Sequence, residues 1–261
     1  MRTQPIACTL AILITGSVLL LTGISCINDT DLGNNDDGST VTDADGNVYR
    51  TVKIGNQVWT TENLRTTKYN DGSPIPHAAL QTTWDSSFYN LQDAYCYYKN
   101  TTNADNIKKF GALYNWYAVN TGKLAPAGWH VPTDEEWDTL MTYLITNGYN
   151  WDGANEGNNI AKSMAAKEKW ESSNMDGAIG NDLTKNNKSG FSAVPGGGRD
   201  PADADHKGFY GIDSVGCWWS STDWGSTCTW NRSLSYDFSD FLRPFSGKNC
   251  GFSVRLVRNS N

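Results

Sequence analysis

The residues able to do chemistry are few and scattered. Beyond Cys26 the cysteines stand at 96, 217, 228 and 250, and the histidines at 77, 130 and 206. A zinc site needs such ligands converged, often two on one helical turn, and no pair here has that spacing. His130 lies in Gly-Trp-His-Val-Pro, a block suited to packing before a helix. In an oxidising compartment four cysteines make disulfides with three possible connectivities. Cys228 and Cys250 bracket the longest C-terminal loop region and are the preferred pair. Asp43-Ala44-Asp45-Gly46-Asn47 begins with alternating oxygen donors like a calcium loop, but the twelfth position is Ile54, not glutamate. An Asp-Gly turn is the simpler reading. No cofactor or metal is expected.

Catalytic motifs fare no better. Pro195-Gly196-Gly197-Gly198-Arg199 has no nucleophile elbow and no Gly-Lys-Ser/Thr beside it, so it reads as a glycine-rich turn. A glycosidase needs two carboxylates facing each other across a sugar. The cluster Asp134-Glu135-Glu136 is better explained by helix capping, and Asp237 and Asp240 lie in a polar stretch. That stretch, 222–249, mixes Trp, Tyr, Phe, Ser, Asp, Asn and Arg with few aliphatics, much as an antibody paratope does. The candidate ligand-binding residues are Trp224, Trp230, Asn231, Tyr236, Asp237, Phe238, Asp240, Phe241 and Arg243. Strand alternation turns about half of them inward. The competing reading is a run of ordinary surface strands and loops.

Elements must position these residues. Val48 to Ile54 alternates as a half-buried strand, and Gly55-Asn56 turns it into Gln57-Val58-Trp59, a hairpin. Phe110 to Val119 is expected to form a short helix ended by Asn120-Thr121-Gly122. Thr133-Asp134-Glu135-Glu136 is a capping box. Behind it Trp137, Leu140, Met141, Leu144 and Ile145 fall on one helical face, closed by Asn147-Gly148. Ile160 to Ala166 is a weaker helix. Cys217 to Thr222, Trp230 to Tyr236 and Gly251 to Arg258 are candidate strands, the last alternating through Phe252, Val254 and Leu256 and closing the fold. The order predicts an α+β domain, mainly antiparallel, with two to three helices.

The N-terminus carries an address. Residues 1–25 hold one charge, Arg2, and an apolar stretch from Ile6 to Leu21, the anatomy of a secretory signal. Gly23-Ile24-Ser25-Cys26 is similar to a lipobox, at which bacterial lipoproteins are cleaved and acylated on cysteine, although Gly23 stands where a large aliphatic is usual. An uncleaved membrane anchor and ordinary signal cleavage are the alternatives. Residues 26–40 are polar and acidic and read as a flexible tether, leaving 41–261 as the domain. The chain's net charge is −7, and removing the signal makes it one unit more negative. Phosphate backbones demand a cationic footprint, so nucleic acid is not expected as a partner of so acidic a chain. With 11 Trp and 12 Tyr the chain has more aromatic surface than a modest core needs; binding surfaces enrich these residues, but cores also use them, so abundance alone does not decide between the two.

Five blocks in order carry a family resemblance: DADGNVYRTVKIGNQVWTTENLRTTKYNDG (43–72), FGALYNWYAV (110–119), LAPAGWHVPTDEEW (124–137), GCWWSST (216–222) and GFSVRLVR (251–258). They resemble the Fibrobacter succinogenes major paralogous domain. The Pro-Thr-x-x-Glu-Trp start and Gly-Phe-x-x-Arg-Leu-Val ending also resemble the formylglycine-generating group. The resemblance implies a C-type-lectin-like fold on secreted or lipid-anchored bacterial proteins, and no particular reaction. The copper-binding cysteine pair of formylglycine-generating enzymes has no counterpart, since Cys217 and Cys228 are eleven apart. Family members often end in Arg-Cys-Val-Arg; Leu256 here leaves Cys96 without the partner the resemblance implies. Vertebrate-type lectins hold calcium partly through Trp-Asn-Asp, and Trp230-Asn231-Arg232 puts a cation in place of the acid. Residues 222–249 fall where some relatives of this fold diversify their sequence.

The expectation is a lipid-anchored module of the bacterial envelope, on the outer membrane, non-catalytic, binding a glycan or protein through its C-terminal loops. An envelope enzyme (a glycan hydrolase or a degenerate formylglycine-type oxidase) and a pilus-tip or structural subunit are the alternatives. Two carboxylates across a cleft would favour the first, and a long exposed edge strand the second.

Overall fold

The computed structural model describes residues 38–201 and 208–260, all within a compact unit spanning Gly33–Asn261. The signal segment, Cys26, most of the tether and His206 lie outside the described residues.

The described residues open with β1 (Thr40–Thr42), β2 (Val48–Ile54) and β3 (Gln57–Thr60). The β2–β3 hairpin has the expected bounds, and Gly55 takes a positive φ in its turn. A helical stretch follows: α1 (Gln81–Tyr89), β4 (Tyr95–Cys96), α2 (Ala104–Phe110), β5 (Leu113–Tyr114), α3 (Trp116–Asn120), α4 (Asp134–Thr146) and α5 (Ala161–Met164). The C-terminal part holds β6 (Gly196–Arg199), β7 (Phe209–Ile212), β8 (Val215–Asp223), β9 (Cys228–Ser235), β10 (Phe245–Gly247) and β11 (Val257–Asn259). One sheet runs β1-β2-β3-β11, another β10-β9-β8-β6-β7, and β4 pairs with β5. Among the described residues every pair of these strands is antiparallel except β6 with β8. The domain is therefore mixed α and β with mainly antiparallel strands, and carries five α-helices among the described residues where two to three were expected.

Three expectations need correction. The helix expected over 110–119 begins only at Trp116, because Asn115 caps it (its side chain accepts from the Ala118 N–H) and Leu113–Tyr114 is a strand. The last block is not one alternating strand. Residues 251–257 are all buried, and isolated bridges to Arg199, Tyr114 and Trp218 precede β11. A segment enclosed on every side has no solvent face, so its sequence alternation carries no orientation. The glycine run is a strand, not a turn. At Gly197, with φ +65°, an added Cβ would lie 2.3 Å from the Tyr210 carbonyl oxygen, so only glycine admits that neighbour.

Two large cores lie on opposite faces of β8. Trp218 and Trp219 are adjacent and both fully buried, and pleating sends them apart. Trp219 joins Tyr114, Phe252 and Val254; Trp218 joins Trp137, Leu140, Phe191 and Leu234. A smaller core gathers Trp84, Cys96 and Phe209. Seven of the 11 tryptophans are buried, and each of their indole N–H groups has an acceptor, for example Trp137 to the Trp219 carbonyl and Trp218 to Asn63. Most of the aromatic richness thus builds cores.

Candidate functional site

Strand β9 displays one face in three stages. Leu234, Arg232 and Trp230 alternate onto the side that α4 covers. Leu234 lies beneath the helix in the core. Arg232 lies at the helix start, its side chain wholly buried, with Nη2 donating to Asp134 Oδ1 at 2.7 Å and Asp138 Oδ1 at 2.7 Å. Desolvation pulls its pKa down while the two carboxylates oppose that. One step further along the strand Trp230 emerges half-buried.

There it meets an aromatic patch. Phe245 lies directly opposite Trp230 across the β9–β10 pair, with ring centroids 6.1 Å apart at 86°. Trp224, from the β8–β9 loop, completes a triangle at 5.1 Å from Trp230 and 5.4 Å from Phe245. Trp224 is 55% and Phe245 57% exposed. Arg243 lies over the Trp230 ring, its Cζ 3.7 Å from the centroid. Its guanidinium grips Asp134, Nε at 3.0 and 2.9 Å from the two carboxylate oxygens and Nη2 at 2.5 Å. This grip pushes the Arg243 pKa up, on a side chain that is protonated in any case. Asp134 itself is fixed by its place in the first turn of α4 and by its backbone N–H, which donates to the Thr222 hydroxyl at 3.0 Å. The result is an exposed apolar surface with a positioned cation at its margin, on two strands and a helix terminus.

The candidate residues divide. Trp224, Trp230 and Arg243 come together. Asn231 and Phe241 are buried, Asn231 donating to the Ser246 hydroxyl and Phe241 packing on Trp137. Tyr236, Asp237, Phe238 and Asp240 belong to a separate loop, tied through the Tyr236 and Phe238 carbonyls to Gly180 and Ile179. Phe245 is the member that sequence reasoning missed, since only the register of β10 sets it opposite Trp230.

The other candidates have structural work. Asp43 accepts from the Asp45 and Asn47 backbone N–H groups at 2.9 Å each, the Asn47 side chain at 2.9 Å and the Tyr49 hydroxyl at 2.6 Å, a saturated turn. Glu136 accepts from Thr133 in the capping box and meets His130 Nε2 at 2.6 Å. The expected Cys228–Cys250 disulfide is not formed, and all four described cysteines are free. The residue opposite Cys228 is Gly247, and Cys250 lies beyond a turn closed by its N–H on the Gly247 carbonyl. Burial pushes the Cys96 thiol up to about 11 and Cys217 up to about 12. No group of three or more His, Cys, Asp or Glu converges as a metal site among the described residues.

The fold is of the mixed α and β class, with mainly antiparallel strands. The Fibrobacter succinogenes major domain model matches residues 52–258, and the chain belongs to that family. Neither the curated proteins nor the solved structures gave a match.

Proposed function

We propose that this chain is an exported, lipid-anchored envelope module, C-type-lectin-like in architecture, that binds a glycan without catalysis through the Trp224–Trp230–Phe245 patch. The supporting observation is the triangle of exposed rings held beside Arg243. Flat aromatic faces stack on the apolar face of a sugar ring, and a fixed guanidinium donates to its hydroxyls. Asp134, the most enclosed acid of the site, is already occupied by two arginines, which argues against a general acid or base there. A protein ligand would use the same anchors.

The test is a titration of the full-length protein with neutral oligosaccharides, followed by tryptophan fluorescence. Trp224→Ala and Phe245→Ala should each weaken binding by more than about 1 kcal/mol while leaving the melting temperature near that of the parent. Folded variants that keep full affinity would remove the patch from consideration, and capture of a protein but no glycan would change the ligand class.

A further inference from the structure

A second surface of different chemistry lies apart from the aromatic patch and shares no residue with it. A groove of about 810 Å³ runs between β2, α2 and the segment after α5. It is lined by Arg50, Arg65, Lys108, Lys109, Lys167 and Lys169 against three acids, Glu62, Asp105 and Glu168, so a chain of net charge −7 concentrates positive charge there. Part of that charge is spent internally: Arg50 pairs with Glu62 at 3.1 Å and Lys109 with Glu168 at 3.0 Å. Lys108, Lys167 and Lys169 have no acidic partner among the described residues.

The groove is organised rather than a loose tuft of lysines. Residues 167–169 form an exposed tip pinned at both ends, because the Ala166 N–H and the Trp170 indole both donate to the Ala193 carbonyl, at 2.7 and 3.2 Å. Lys169 holds a left-handed φ of +73° at that tip. On the floor, Asn187 and Ser192 are also left-handed and hydrogen-bond each other, at 2.8 Å through both their side chains and the Ser192 N–H. Arg255 clamps the Ser192 carbonyl from beneath at 2.9 Å. The Asn187 and Ser192 side chains are thus held in place in the same lining as the unpaired cations.

We infer that this groove binds an acidic polysaccharide segment, one bearing carboxylates at intervals along a hydroxyl-rich chain. Among the described residues the lining contains no Phe, Tyr or Trp, so it lacks the platform on which single-stranded bases stack. The dense charge of a nucleic-acid backbone would also extend past the groove onto an acidic protein. Sparse carboxylates separated by hydroxyls match three unpaired ammonium groups that share a groove with Asn, Ser and Thr side chains, and the volume lies in the range of ligand clefts.

The experiment uses full-length protein carrying Trp224→Ala and Phe245→Ala, so that its outcome is independent of the patch. Defined oligogalacturonate and oligomannuronate are titrated at low and raised salt, beside a neutral oligosaccharide of equal length and a single-stranded oligonucleotide. Uronate binding that weakens with salt, and that falls at least tenfold in Lys108→Glu/Lys167→Glu/Lys169→Glu, is the expected result. If that variant is not folded, the Lys→Gln triple replaces it. No binding of either uronate at low salt, equal binding of the neutral chain, tighter binding of the oligonucleotide, or full affinity in the folded triple variant would each overturn the inference.

Discussion

His130 and Glu136 make a pair whose charge state follows pH. The hydrogen bond to Glu136 raises the His130 pKa above 6.5, with burial opposing it and the carboxylate charge assisting. Burial works to raise Glu136, but the His130 and Thr133 hydrogen bonds outweigh it and hold the carboxyl below 4.5. The histidine contribution is complete below 6.5 and is lost as pH rises through its raised folded value. The glutamate contribution is present above 4.5 and is lost as pH falls through its lowered folded value. The melting temperature should therefore decline as pH rises above 6.5, and His130→Gln should flatten that decline. An unchanged slope in the variant would assign the pH dependence to other groups. At this scale the sequence is a poor guide, because partners are remote. Arg255, in the Gly-Phe-x-x-Arg-Leu-Val ending, is wholly buried and donates to Asn63, Thr60, Phe191 and Ser192. Nothing local in its neighbours foretells those four contacts. Arg232 likewise reads as a failed calcium ligand until α4 is set against it.

Elements were legible where their signals are local. The capping box at Thr133 and the apolar face behind it place α4 to within a residue, and both reciprocal bonds of the box are present. Helix α2 went unseen because its buried side is minimal: no residue of it is fully buried, so it has no apolar periodicity to detect. Strand β10 was missed because three residues carry no pattern at all. The contrast gives a measurable expectation for α4. Trp137 has no exposed surface and touches Trp59, Phe191 and Phe241 with centroids at 4.6, 6.0 and 5.7 Å. Trp137→Ala should lose about 3–5 kcal/mol, against about 1 kcal/mol for Thr133→Ala, by urea denaturation. Equal small losses would mean that the helix contributes little to the core.

For the whole molecule, the mixed and mainly antiparallel architecture followed from element order, while the pairing of β11 with β3 did not. That contact joins residues near the two ends of the domain and arises from closure of the core, which no window of sequence records. The candidate patch was half legible for the same reason: composition pointed to 222–249, and only the sheet register separated Trp224, Trp230 and Arg243 from buried Asn231 and Phe241. Anchoring is the remaining molecular-scale expectation. Metabolic labelling with a fatty-acid probe should mark the parent and not Cys26→Ala; equal labelling of both would sink the lipoprotein reading.

Asp134 holds Arg243 while standing in the first turn of α4, which gives the patch a mechanical link to the helix. A ligand that engages Arg243 must redistribute the charge on that carboxylate, and coupling of this kind is reciprocal. Occupancy at the surface would then be reported inside the domain: the opening amides of α4 would exchange their hydrogens with solvent more slowly in the bound state, although no ligand atom touches them.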